Sequence, residues 1–231
     1  MTDVSVANLR RIDELLSVGA PSRVAIRDHD GRDYSYGDLA GLVSDMTGLL
    51  AGHGVRPGDR VMVLSENSVT YLATILALSR LDAWALLVNA RLTGAEVARL
   101  AEVADIRCAV FTPEASPAAA NHARQMGAVS LGQLACGEII ASPLRDAAPE
   151  PVVEGPDQTA VLIYTSGTVG EPKGVMLSHG NLLFMCNASS TLRRIGPEDT
   201  TLAVLPGTHI FGLTSVFLAA LAKGSRLIVM P

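Results

Sequence analysis

The sequence predicts an α/β fold of parallel sheets covered by helices on both faces. Two observations carry this reading: apolar runs of strand length without polar alternation, and amphipathic helical stretches between them. Uninterrupted apolar runs belong to strands buried on both faces, and regular alternation with helices makes the sheet parallel. Burial is affordable in apolar surface, since 48% of the 231 residues are hydrophobic and 18% charged. That composition excludes a disordered or low-complexity protein.

In chain order, residues 6–17 read as a short surface helix. Arg23–Arg27 and Arg32–Tyr36 flank His29-Asp30-Gly31, an Asp-Gly hairpin signal. A helix follows over about 37–52. The turn Arg56-Pro57-Gly58-Asp59 leads into a strand over Arg60–Leu64, then a helix over 68–81 and a strand over Trp84–Val88. A helix over 93–104 and a strand over Cys108–Phe111 complete the first alternation. Between about 112 and 157 the pattern weakens under six prolines, and Pro149–Pro156 reads as a connector. Ala160–Tyr164 and Gly174–Leu177 then read as buried strands, and Ser178 as the N-cap of a helix over about 180–194. A strand over Thr201–Leu205, a helix over 210–222 and a strand over Arg226–Met230 follow. Two regions result, 1–157 and 158–231, the second ending on the apolar run Leu227–Pro231, which predicts that the natural chain continues.

The net charge of −5 offers no electrostatic footprint for nucleic acid. Residues 160–231 are the exception, with five basic and three acidic groups, a balance suited to a small anionic ligand. The N-terminus lacks an apolar stretch behind a basic start, so a cytoplasmic location is expected. Cys108, Cys136 and Cys186 have no paired spacing and read as buried thiols in a reducing compartment. Ile210–Ala222 is too short for a membrane span, and the five scattered histidines make no metal site.

The chemistry concentrates in Thr165-Ser-Gly-Thr-Val-Gly-Glu-Pro-Lys-Gly174. Its glycines let backbone approach a ligand, and backbone N–H groups in such turns form anion-binding nests. Thr165, Ser166, Thr168 and Lys173 add hydroxyls and a cation, so a polyphosphate is the natural ligand. A Gly/Ser/Thr surface turn shares this composition, but the chain uses 16 Arg and only two Lys, and one of the two stands here. A Walker A loop is excluded, because Lys173 follows Pro172 and precedes an apolar strand rather than a helix.

Tyr164-Thr-Ser-Gly-Thr-Val-Gly-Glu-Pro-Lys-Gly-Val175, continuing Leu177-Ser-His-Gly-Asn-Leu182, closely resembles the phosphate-loop signature of the adenylate-forming (AMP-binding) superfamily. Acyl- and aryl-CoA synthetases, peptide-synthetase adenylation domains and beetle luciferases make up that superfamily. Val169 departs from the usual Thr. Tyr34–Leu39 with Gly54–Val61 is similar to the family's N-terminal region, and Leu205-Pro-Gly-Thr-His209-Ile-Phe-Gly212 resembles its Leu-Pro-x-Phe-His-x-x-Gly segment, with Thr208 for the aromatic. Asn89-Ala-Arg91-Leu-Thr93 looks like the phrase of the CoA-ligase branch, whereas Arg80–Trp84 departs from the family pattern. Arg91 itself reads as a surface charge ahead of a helix.

The resemblance implies the N-terminal portion of the large domain of such an enzyme, without the C-terminal lid domain. It implies a ligase in which a carboxylate attacks the α-phosphorus of ATP, pyrophosphate leaves, and CoA displaces AMP from the acyl-adenylate. Carried over residue by residue, Thr165, Ser166, Gly167, Thr168, Gly170 and Lys173 would hold the phosphates, and His209 would stand as the catalytic-site histidine between acyl pocket and thiol approach. A packed histidine at a helix start is the plainer reading of His209. Mg²⁺ ligands are expected outside these residues, as no Tyr-Gly-x-Thr-Glu or Thr-Gly-Asp segment occurs. The isolated 231 residues are therefore expected to be inactive, as a truncated ligase whose partners are ATP, CoA, a carboxylic acid, and the missing C-terminal portion or a second copy. Two alternatives stay open: a natural half-protein that binds nucleotide or a partner chain, and an adenylation domain for amino or aryl acids without CoA. An NAD-binding domain is disfavoured by the lack of a GxGxxG turn.

Overall fold

A computed structural model describes residues 6–165 and 173–230. The described residues open with two 3₁₀ turns, Val6–Asn8 and Ile12–Ser17, in place of one surface helix over 6–17. The interruption has a local cause. The Glu14 carboxylate accepts the backbone N–H groups of both Arg10 and Arg11, at 2.7 and 3.2 Å, which starts a new turn there. Ile12 and Leu15 point into the core.

The hairpin pairs β1 (Val24–Arg27) with β2 (Asp33–Ser35). Then come α1 (Tyr36–His53), β3 (Arg60–Ser65), α2 (Val69–Arg80), β4 (Trp84–Asn89), α3 (Gly94–Val103) and β5 (Cys108–Phe111), close to the expected spans. Each of these helices begins at a hydroxyl cap: Ser35, Ser68 and Thr93 accept the N–H three residues on. The weak stretch holds α4 (Pro117–Gln125) and a hairpin of β6 (Val129–Leu134) with β7 (Gly137–Ala141), none of them anticipated. After the connector come β8 (Thr159–Thr165), β9 (Lys173–Ser178), α5 (His179–Leu192) and β10 (Thr200–Ala203). A π-helical turn, Gly212–Leu218, runs into α6 (Ala219–Leu221), and β11 (Arg226–Val229) closes the chain. Ser178 caps α5, accepting from the Asn181 N–H, as its sequence predicts.

Two sheets form. Seven strands stand in the order β6-β7-β5-β3-β4-β8-β9, and four in the order β10-β11-β1-β2. The α/β class holds: β5, β3, β4 and β8 run parallel with antiparallel strands at both edges of the larger sheet, and β10, β11 and β1 run parallel in the smaller one, with β2 antiparallel at one edge. One expectation needs correction: Gly174–Leu177 is not a second buried strand. β9 turns back antiparallel on β8 at the sheet edge, leaving Val175 and Met176 exposed. Physically, the link between the two strands is too short for the helical crossover a parallel pair requires. Regions 1–157 and 158–231 share both sheets, since β8 and β9 extend the first and β10 and β11 join β1 and β2 in the second.

The central sheet sorts its side chains by parity. Met62, Leu64, Leu86, Val88 and Phe111 face α3 and α4 in one core. Val61, Val63, Ala85, Leu87 and Val110 face the other way into a core with α1, α2 and the four-stranded sheet. Every α2 residue from Val69 to Ser79 is buried, which explains its weak amphipathicity. All three cysteines are free and buried, and burial pushes the thiols of Cys108 and Cys186 up to about 12, so they are inert packing residues. Among the described residues, no helix is long and apolar enough to cross a membrane.

Candidate functional site

In an open α/β sheet, ligands sit at the carboxyl ends of parallel strands where the strand order reverses. Here β3 has β4 on one side and β5 on the other, so its carboxyl end is such a point. Next to that point, a cleft of about 590 Å³ lies between the ends of β4 and β8 and the turn at 205–212. Leu87, Val88, Leu92, Leu100, Ile163, Leu205 and Phe211 supply its apolar wall, and Asn89, Tyr164, Thr208 and His209 its polar groups. Burial raises the Tyr164 phenol above its ordinary value, so Tyr164 offers a neutral O–H.

His209 is exposed at the start of the π-helical turn. Its N–H donates to the Pro206 carbonyl at 3.1 Å and its carbonyl accepts from the Leu213 N–H at 3.0 Å. Its Nδ1 accepts from the Phe211 N–H at 3.3 Å, so the neutral ring carries its proton on Nε2. His209 is thus met by backbone at Nδ1, as a helix-start histidine would be, yet it is exposed and borders the cleft.

Thr165 ends β8 and Lys173 begins β9, and the two are register partners at the open end of the hairpin. The Lys173 side chain is exposed. Ser166, Gly167, Thr168 and Gly170 lie outside the described residues. Tyr164, one residue before Thr165, lines the His209 cleft, so the hairpin end and the 205–212 turn border one region of the surface. Lys223, the other lysine, is committed elsewhere, its Nζ donating to Asn187 Oδ1 at 3.3 Å and Thr191 Oγ1 at 3.4 Å. Arg91 has its side chain 72% exposed and pairs with Glu66 at 2.6 Å, as a surface charge ahead of a helix does. Among the described residues, no cluster of three or more His, Cys, Asp or Glu could hold a metal ion.

Sequence reasoning missed the supports of the 205–212 turn. Asn67, buried between β3 and α2, makes two hydrogen bonds to it, at Leu205 and Gly207, and a third to Ala203 at the end of β10. Gly207 packs close against the Tyr71 ring, where an added Cβ would stand 2.5 Å from Cε1, and Phe217 packs edge-on against Tyr71 at 5.9 Å. The one signal available was an Asn beside the Ser68 cap, at the end of an apolar strand.

The fold and the cleft define an α/β protein with an open cleft at the carboxyl ends of parallel strands, beside the end of the β8–β9 pair. The chain belongs to the AMP-binding enzyme family, whose model matches residues 17–231. It is 32% identical over 213 residues to a feruloyl-CoA synthase of Amycolatopsis sp, covering 91% of this chain and 41% of that protein. It is 33% identical over 220 residues to the indoleacetate–CoA ligase of Aromatoleum aromaticum, with coverages of 91% and 42%. The chain thus spans about two-fifths of the length of these curated relatives. ATP-bound MatB from Rhodopseudomonas palustris superposes with a TM-score of 0.76 at 28% identity, over 96% of this chain and 45% of that one. The N-terminal domain of FACL13 from Mycobacterium tuberculosis shares the fold, with a TM-score of 0.73 at 24% identity over 96% of this chain and 57% of that one.

Proposed function

We propose that the chain is the N-terminal part of an ATP-dependent carboxylate–CoA ligase, and that it carries the polyphosphate loop and one wall of the acid site. The observation that carries the reading is the hairpin end: Thr165 and Lys173 are register partners across β8 and β9, next to the cleft that holds Tyr164 and His209. Thr165, Ser166, Gly167, Thr168, Gly170 and Lys173 hold the β- and γ-phosphates, the cation neutralising charge and the glycines admitting backbone N–H donors. ATP supplies an activated α-phosphorus for the substrate carboxylate, and CoA is the thiol acceptor. Mg²⁺ accompanies the nucleotide through groups other than the described residues. His209 borders the acid cleft with an Nε2–H that has no backbone partner among the described residues, and the apolar wall favours an acyl or aryl carboxylic acid.

Pyrophosphate exchange by the full-length gene product, run against fatty, aryl and amino acids, tests the reading. Lys173→Ala should reduce exchange at least about a hundredfold, the scale of removing one transition-state charge contact, whereas Lys223→Ala should change it less than about threefold. Equal exchange by the two variants refutes the phosphate-site assignment. Exchange with amino acids and no thioester formed with CoA would instead favour an adenylation domain.

A further inference from the structure

We propose that Asn67 is a positioning residue whose carboxamide fixes the turn that carries His209. Ala203 is the last residue of β10, and beyond it the chain leaves the sheet ladder. Its peptide groups then need other partners, and Asn67 supplies three bonds at once. The Asn67 Nδ2 donates to the Ala203 carbonyl at 3.1 Å and to the Leu205 carbonyl at 2.9 Å. The Oδ1 accepts from the Gly207 N–H at 2.7 Å. A primary amide of this length is the side chain that offers two donors and an acceptor in one plane; Asp lacks the donors and Leu lacks all three.

The three bonds fix the turn against the end of β3, far away in sequence. The Pro206 carbonyl, inside the clamped stretch, receives the His209 N–H, so the histidine backbone inherits the register. Gly207 seats the same stretch on Tyr71 from the other side. The amide holds two buried points, Ala203 and Gly207, with an exposed stretch between them. Val204 and Leu205 are 61% and 40% exposed, so tying them down buries little apolar surface, while burying an amide is costly unless each of its groups is satisfied. The arrangement makes sense as placement of Thr208 and His209 at the cleft.

The importance of that placement rests on the proposed function, but the placement itself is measured separately, by NMR on the 231-residue chain. The near-isosteric Asn67→Leu should keep the thermal midpoint within about 5 °C, while Gly207 amide protection falls at least about tenfold and the His209 imidazole resonances move or broaden. In the full-length gene product the same variant should lower kcat for exchange at least about tenfold and leave the KM for ATP within about threefold. If Asn67→Leu does not fold, the wild-type chain still decides. The Asn67 side-chain N–H₂ protons should exchange with water at least about tenfold more slowly than those of exposed Asn121. Unchanged Gly207 protection and His209 resonances in the variant, or Asn67 protons exchanging as fast as those of Asn121, overturn the proposal. Absence of exchange activity in the wild-type enzyme would count against the functional reading alone, leaving the NMR comparison to decide the role of Asn67.

Discussion

Gly212 shows how closely single atoms set the turn. A Cβ there would stand 2.1 Å from the Pro206 carbonyl oxygen, so the backbone on one side must move. Gly212→Ala should therefore destabilise the protein by about 1–3 kcal/mol, the usual cost of overpacking, read as a lower denaturant midpoint at unchanged slope. A midpoint equal to wild type would show that the turn is looser than described. The residues legible in the sequence were those whose chemistry is unusual for the chain. Lys173 stood out in an arginine-rich protein, and His209 stood in a recognisable phrase. Asn67 did not, because a buried amide looks like any loop Asn until its partners, more than a hundred residues away, are known.

Among elements, α5 carries a pH liability at its first residue. His179 is fully buried, its Nδ1 accepting from the Ile12 N–H at 3.4 Å and its Nε2 without a partner among the described residues. Burial, with help from the Arg11 cation, lowers it from 6.5 to about 4. Above pH 6.5 the ring is neutral whether the chain is folded or not, and it has no effect on stability. Below that, the unfolded chain takes up the proton first, so stability falls as pH drops towards 4 and then levels off. The loss amounts to about 3 kcal/mol. His179→Gln should flatten the stability curve in that window, and a variant curve parallel to wild type would exclude His179 as the cause. Elements with hydroxyl caps and continuous apolar runs were readable in advance: α1, α2, α3, β3, β4 and β5. The short α4 and the β6–β7 hairpin were hidden among prolines, although Ser116 caps α4 and Pro117 opens it. Periodicity also could not reveal that β9 reverses direction or that the segment from Gly212 winds as a π-turn.

At the scale of the whole molecule, the candidate site is assembled from distant stretches of chain. The hairpin end comes from Tyr164, Thr165 and Lys173, the turn from 204–212, and the floor from the ends of β3 and β4. The parallel centre of the seven-stranded sheet brings them together, and Asn67 ties the turn to it. The α/β class and the family were legible from motifs, whereas the mixed sheet edges and the sharing of both sheets across residue 157 needed the structure. The central claim is that polyphosphate binds at the β8–β9 hairpin beside the His209 cleft. An amide-resolved NMR titration of the 231-residue chain with MgATP tests it most directly. Saturable shifts should appear at Lys173 and Gly174 and extend to Tyr164 and His209, leave residues around Lys223 unmoved, and weaken at least about tenfold in Lys173→Ala. Shifts that centre elsewhere, or that persist with equal affinity in Lys173→Ala, would contradict the account.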